Sequence, residues 1–98
     1  MVRIAVFASG SGSNAENIIR HFSDHPRIRV TCVCTNRPDA YVIERSKRLE
    51  VPVYVFNKQM FAETGEVLDH LREHRIDWIV LAGFLWLVPA SLIEAYPD

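Results

Sequence analysis

Four short apolar segments alternate with four amphipathic segments along the chain, and this alternation restricts the possible folds more than any other feature. The apolar segments are rich in β-branched residues and read as strands over residues 2–8, 28–35, 51–56 and 77–82. The amphipathic segments read as helices over residues 14–22, 40–49, 61–74 and 90–95. A β-α order of this kind predicts one α/β domain, residues 1–98, with about four parallel strands joined by right-handed crossovers.

The first strand and the starts of the helices give the most local detail. Segment 2–8 (VRIAVFA) is almost continuously apolar, which is typical of a strand covered on both faces in a doubly wound, Rossmann-like sheet. Ser13, followed three residues later by Glu16, fits a capping box and starts the first helix at Ser13. Asp39 is expected to cap the second helix. Gly65 lies inside the third helix, where it costs about 1 kcal/mol relative to alanine.

Open parallel sheets bind their ligands outside the carboxyl ends of the strands. In this chain those ends are followed by the loops at residues 9–14, 35–39, 56–60 and 83–88. We therefore expect the functional residues to lie in these four loops.

The loop after the first strand, Ser9-Gly10-Ser11-Gly12-Ser13-Asn14, has the composition of an anion site. Gly10 and Gly12 permit a tight turn and let the backbone approach a ligand closely. The helix that follows offers unpaired N–H groups and a partial positive charge at its N-terminus. Ser11, Ser13 and Asn14 add side-chain donors, and Glu16 is expected to point away from a bound anion or to bond the cap backbone. The alternative is a glycine-rich turn that does no more than begin a helix.

The residues around the loop restrict the identity of the anion. Gly10, Gly12 and Ala15 fit the dinucleotide fingerprint, which also needs an acidic residue at the end of the second strand to hold a ribose. That strand ends in Thr35-Asn36-Arg37, and the nearest acid, Asp39, lies beyond a proline. A P-loop is excluded because no Gly-Lys-Ser/Thr follows the glycines. A monophosphate therefore fits better than a dinucleotide.

Composition argues against several other classes of protein. The net charge of −1 gives no reason to expect a nucleic-acid partner, and no apolar run approaches the roughly 18 residues that cross a bilayer. We expect a cytoplasmic protein with no nucleic-acid or membrane partner. Cys32 and Cys34 fall on one face of the second strand and are expected to be buried, reduced thiols, so that no metal site is predicted.

Three motifs in order along the chain resemble the phosphoribosylglycinamide formyltransferase family. Residues 9–14 match its S-G-x-G-S-N loop, and Val80-Leu81-Ala82-Gly83-Phe84 resembles its V-L-A-G-F/Y segment at the end of the fourth strand. Asn36-Arg37-Pro38-Asp39-Ala40 is similar to the family's S/T-N-x-x-x-A turn after the second strand. The matches cover nearly the whole chain and imply the formyltransferase fold.

The resemblance also implies an activity and two sets of binding residues. The family transfers a formyl group from 10-formyltetrahydrofolate, its co-substrate, to the amine of glycinamide ribonucleotide in purine synthesis. The positions that match its phosphate loop are Gly10, Ser11, Gly12, Ser13 and Asn14. The positions that match its folate segment are Leu85, Trp86, Leu87 and Val88, which provide an apolar slot with backbone hydrogen bonds. Many members carry arginine at the position of Trp86, and plain core packing is the alternative for this stretch.

No catalytic residue is predicted in these 98 residues. The family's chemistry rests on an Asn-x-His-Pro motif and a later Asp, which the resemblance implies stabilise the oxyanion and move protons. The sequence contains no Asn-x-His-Pro. Its four histidines are expected on solvated helix faces and are His21, His25, His70 and His74. We therefore expect the chain to be the N-terminal half of an enzyme, truncated before the catalytic half and inactive alone.

A half sheet of this kind is expected to expose the edge where its next strand should pair, which predicts self-association through that edge. Two other functions stay open at this point. The chain is a fragment of another folate formyl enzyme, such as formyltetrahydrofolate deformylase, or it is a non-catalytic nucleotide-binding module.

Overall fold

The computed structural model describes residues 1–86, 88 and 90–96. In that part of the chain the strands are β1 (Val2–Phe7), β2 (Ile28–Thr35), β3 (Val53–Val55) and β4 (Trp78–Leu81). The helices are α1 (Ser13–Phe22), α2 (Val42–Arg48), α3 (Lys58–Ala62), α4 (Glu66–Glu73) and α5 (Ala90–Ala95). None of these helices is long and apolar enough to cross a membrane.

The four strands form one sheet in the order β3-β2-β1-β4, and every neighbouring pair is parallel. β1 is central, with Val6 opposite Val33 of β2 and Val80 of β4. The predicted parallel α/β fold is therefore confirmed. β4 pairs with β1 on one side, and its other edge carries no strand in the described residues. Self-association through that edge stays a prediction.

Both faces of β1 are covered, as its apolar sequence predicts. Val6 packs on one face in a cluster with Ala15 and Ile19 of α1. Phe7 packs on the other face in a cluster with Phe61 of α3 and Leu71 of α4. Alternate residues of one strand therefore enter two separate cores, which is the arrangement of a doubly wound sheet.

The two cysteines are buried and free, as predicted, and both belong to the core around Phe7. Their sulfur atoms lie 4.0 Å apart. The contact with Cys32 and burial both raise the pKa of the Cys34 thiol well above its ordinary value. Cys34 is therefore held as a neutral thiol, which is the unreactive form.

The prediction of a single helix over residues 61–74 is wrong, because the chain forms two separate helices, α3 and α4, with Gly65 between them. Gly65 has a φ of 74°, a left-handed conformation that does not occur inside an α-helix, and it stands at the N-terminus of α4. α3 begins earlier than predicted because the Asn57 side chain accepts a hydrogen bond from the Met60 N–H at 2.8 Å. Three of the five residues in the predicted loop at 56–60 are therefore helical.

The predicted helix caps are also wrong, although α1 does start at Ser13. Gly12 occupies the cap position of α1, and no side chain caps that helix. The Glu16 carboxylate, expected to complete a capping box, instead binds two arginines. Asp39 does not cap α2, because that helix begins at Val42 with Tyr41 at its cap position, and the Asp39 carboxylate pairs with Arg37 at 3.3 Å. In both cases a nearby guanidinium group takes the carboxylate that the cap would need.

His70 is not the solvated side chain that the sequence predicts. Its ring stacks on Tyr54 of β3, with centroids 3.8 Å apart and planes 9° apart, whereas His21, His25 and His74 are exposed. Burial lowers the pKa of His70 below the ordinary value of 6.5, and the neighbouring His74 lowers it further, while Glu73 acts in the opposite direction.

This lowered pKa predicts a pH dependence of stability. Near pH 6.5 the unfolded chain binds more protons at His70 than the folded chain does, so the free energy of unfolding should fall as the pH drops below about 6.5. An NMR titration should place His70 below its ordinary pKa. Tyr54→Ala uncovers the ring and should raise that pKa. A native His70 that titrates at or above its ordinary value would contradict the prediction.

Candidate phosphate-binding site

The loop after β1 ends in a glycine that no other residue can replace without strain. Gly12 has a φ of 82°, and a Cβ at this position would lie 2.5 Å from Cγ2 and 2.7 Å from Cα of Val42. Both the left-handed backbone and the contact with α2 therefore require glycine. The sequence assigned this glycine to ligand approach, and the structure adds that it lets α2 pack against the loop.

The first turn of α1 presents free N–H groups to the loop. The first backbone hydrogen bond of the helix runs from the Glu16 N–H to the Gly12 carbonyl at 2.8 Å. The N–H groups of Ser13, Asn14 and Ala15 precede that bond, and no side chain caps them. Ser13 and Asn14 are exposed, so an anion has access to this end of the helix. N–H donors and the positive end of the helix dipole together favour a phosphate here.

Arg45 of α2 binds both the backbone of the loop and the side chain of Glu16. Its Nε donates to the Ser11 carbonyl at 2.7 Å, and its Nη1 pairs with Glu16 Oε1 at 2.9 Å. The Val42 N–H also donates to the Gly10 carbonyl at 3.2 Å. The contact joins residues 34 positions apart, so no local sequence pattern predicts this role of Arg45.

Glu16 is the one carboxylate in the first turn of α1. It binds Arg20 at 2.9 Å and Arg45 at 2.9 Å, and these bonds lower its pKa below the ordinary value. Its charge is therefore neutralised by two cations, and one of them, Arg45, also binds the loop backbone at Ser11. That Glu16 points away from a bound anion stays a prediction.

Ser9 connects the phosphate loop with the loops after β2 and β4. Its hydroxyl donates to Asn36 Oδ1 at 2.7 Å and accepts from the Leu85 N–H at 3.0 Å. The carboxyl ends of β1, β2 and β4 therefore meet at one buried side chain. Three of the four loops selected from the sequence lie together.

The predicted folate segment lies beside an aromatic cluster. Trp86 is half-buried and its ring centroid lies 5.9 Å from Phe61 and 6.1 Å from Phe56. Leu85, which is 73% exposed, and Trp86 border a cavity of about 320 Å³ together with Lys58, Phe61 and Ala62. Lys58 was not predicted, and it places a cation at this apolar cavity.

The other two residues of that segment differ in what the structure describes. Val88 is half-buried against the core around Phe7. Leu87 lies outside the described residues. The structure therefore brings Leu85 and Trp86 to the cavity, and it places Val88 in packing.

Comparison with known proteins assigns the class. The chain belongs to the formyl transferase family, whose model matches residues 2–98. It is similar to the phosphoribosylglycinamide formyltransferase of Bacillus subtilis, with 35% identity over 98% of this chain and 52% of that protein. It is also similar to the chloroplastic phosphoribosylglycinamide formyltransferase of Arabidopsis thaliana, with 35% identity over 97% of this chain and 35% of that protein.

Solved structures show the same relationship. Glycinamide ribonucleotide transformylase 1 from Geobacillus kaustophilus superposes with a TM-score of 0.85 at 39% identity, covering 98% of this chain and 54% of that one. The corresponding structure from Symbiobacterium toebii gives a TM-score of 0.88 at 29% identity, covering all of this chain and 49% of the other. The resemblance found in the sequence is therefore confirmed. The chain spans about half the length of the bacterial relatives it matches.

Proposed function

We propose that this chain forms the nucleotide-phosphate half of a phosphoribosylglycinamide formyltransferase. The enzyme would transfer a formyl group from 10-formyltetrahydrofolate to the amine of glycinamide ribonucleotide. The observation that carries the proposal is the uncapped first turn of α1, entered through Gly12, which leaves free N–H donors beside an accessible loop.

The ribonucleotide phosphate is proposed to bind at Gly12, Ser13 and Asn14, with Gly10 and Ser11 forming the entrance. A phosphate dianion is attracted by the helix dipole and accepts hydrogen bonds from the backbone N–H groups. The paired state of Glu16 supports this, because an unpaired carboxylate in the first turn would repel the ligand.

The formyl donor is proposed to lie against Leu85 and Trp86. A pterin is a flat, largely apolar ring system, and the cavity beside these residues is lined by Phe61 and Ala62. Lys58 supplies a positive charge at that cavity, and folates carry anionic carboxylates. Lys58 therefore offers a cation beside Trp86 at this cavity.

The chain alone is proposed to bind and not to catalyse. Formyl transfer forms a bond between the formyl carbon and the substrate amine and breaks its bond to the folate nitrogen, and the amine must lose a proton. In the part of the chain that the structure describes, the Glu16 carboxylate beside the phosphate loop is paired with two arginines and the His70 ring stacks on Tyr54, so neither group is proposed as the base. The proton-transfer groups are proposed to belong to the rest of the family domain.

Asn14→Ala is expected to weaken binding of glycinamide ribonucleotide about fivefold to tenfold, because one charge-assisted hydrogen bond to phosphate is lost. Asn14→Asp should weaken it further, since a carboxylate then faces the phosphate. Calorimetric titration of the chain measures both.

Asn17→Ala is the matched control, since Asn17 is also an exposed asparagine of α1 but lies beyond its first turn. Its affinity should equal that of the native chain. Equal affinities for Asn14→Ala, Asn14→Asp and the control would remove Asn14 from the site.

A further inference from the structure

Ser9 lies just after β1, at the point where the backbone hydrogen bonds of the sheet end and the loops of the site begin. The last backbone bonds across the carboxyl edge run from the Ala8 N–H to the Cys34 carbonyl at 3.0 Å and from the Ala82 N–H to the Phe7 carbonyl at 2.8 Å. Beyond them the Ser9 hydroxyl continues the cross-link, to Asn36 on one side and to Leu85 on the other. Ser9 itself is 1% exposed.

Burial alone does not explain these two bonds. Ser46 of α2 is equally buried, at 1% exposure, and its hydroxyl has no hydrogen-bond partner among the described residues. A buried serine in this chain therefore does not always bridge other segments. The Ser9 hydroxyl uses its donor and an acceptor position on two different loops, which makes it a specific connection.

The connection joins two places that would hold different ligands. Ser9 directly precedes Gly10, where the phosphate loop begins, and Leu85 begins the segment beside the apolar cavity. Two substrates that react with each other must be held in register, since a misplacement of about 1 Å can cost a hundredfold in rate. A part-buried hydrogen bond of 3.0 Å between the two segments fixes their relative position.

We propose that Ser9 is a positioning residue that couples the phosphate loop to the Leu85–Trp86 segment through its hydroxyl. This inference rests on the proposed function of the two segments. Phosphate binding at residues 12–14 orders the loop, and the Ser9 hydroxyl transmits that order to the Leu85 N–H. The coupling needs no change of fold, because ordering one segment lowers the freedom of the segment bonded to it.

The test is amide-resolved NMR on the 98-residue chain with ribose 5-phosphate as the probe. In the native chain the probe should shift the amides of Gly12, Ser13 and Asn14 and slow hydrogen exchange at the Leu85 amide. In Ser9→Ala the Leu85 N–H loses its partner, so its exchange without probe should be about tenfold faster. The probe should still shift residues 12–14 but should no longer slow exchange at Leu85.

Ser46→Ala is the control, and it should leave the Leu85 response unchanged because the Ser46 hydroxyl has no partner in the described part of the chain. Asn36→Ala provides a second variant should Ser9→Ala not fold. It removes the Asn36 acceptor that orients the Ser9 hydroxyl, so the probe should slow exchange at the Leu85 amide less than in the native chain, and an undiminished response would contradict the coupling.

Two results would overturn the inference in distinguishable ways. If residues 12–14 respond to ribose 5-phosphate and Leu85 responds equally in native chain and Ser9→Ala, the phosphate site stands and the coupling through Ser9 is wrong. If residues 12–14 do not respond in the native chain, the proposed phosphate site fails and the coupling fails with it.

Discussion

Replacing Gly12 with alanine is expected to lower the free energy of unfolding by about 2–5 kcal/mol. The left-handed backbone costs an alanine about 1–2 kcal/mol, and forcing a methyl group into a packed contact costs about 1–3 kcal/mol. The methyl group would lie 2.6 Å from Val42 Cβ and 2.7 Å from Val42 Cα, and the backbone of α2 cannot rotate away as a side chain can. Urea unfolding measures the loss.

Alanine substitutions at two other glycines separate the cost of the left-handed backbone from the cost of the contact with α2. Gly65 has a φ of 74°, and no atom lies within 4 Å of the place that an alanine methyl group would take, so Gly65→Ala carries only the backbone cost of about 1–2 kcal/mol. Gly10 also has open space and no positive φ, so Gly10→Ala should stay within about 0.5 kcal/mol. A Gly12→Ala loss no larger than that of Gly65→Ala would show that the contact with α2 is not needed.

Phe61→Ala is the second change with a large expected effect, a loss of about 3–5 kcal/mol in the free energy of unfolding. Phe61 is 4% exposed, and its ring centroid lies 5.0 Å from Phe56 and 5.5 Å from Phe84. Total stabilities of small domains are about 5–15 kcal/mol, so this is a large share. The cavity left behind would also remove a wall of the site beside Trp86.

Phe61→Leu keeps most of the volume and should cost less than about 1.5 kcal/mol. Fluorescence of Trp86, recorded in a Trp78→Phe background, reports on the site itself. Its emission should shift to longer wavelength in Phe61→Ala, because water gains access to the ring, and should stay near the native value in Phe61→Leu. A loss as small in Phe61→Ala as in Phe61→Leu, with unchanged emission, would mean that the aromatic cluster does not support Trp86.

Much of the fold could be predicted because its signals are local. β2 runs over Ile28–Thr35 as its β-branched sequence predicts, and the alternation of strands and helices correctly predicts the parallel sheet. The single helix predicted over residues 61–74 is interrupted near Gly65. The prediction counted only the small energetic cost of a glycine inside a helix, whereas Gly65 adopts a left-handed backbone conformation that an α-helix does not contain. The Asn57 cap was present in the sequence and would have revealed the earlier start of α3.

The features of the site likewise divide into those that the local sequence predicts and those that only the folded chain brings together. The glycine-rich loop and the helix start at Ser13 could be predicted, since both depend on neighbouring residues, although the capping box predicted at Ser13 and Glu16 does not form. Arg45 and Ser9 could not, because their bonds cross 34 and 76 positions of the chain and no spacing rule reports them. Glu16 illustrates the reason, since two arginines outside its own capping motif determine where its carboxylate goes.

Binding of a nucleotide phosphate at the loop before α1 is tested most directly by comparing two ligands. Calorimetric titration of the 98-residue chain with glycinamide ribonucleotide should show binding that the dephosphorylated riboside lacks or shows at least about tenfold more weakly. Amide shifts on binding should fall on Gly12, Ser13 and Asn14. Equal affinity for the two ligands, or shifts that avoid these three residues, would contradict the account.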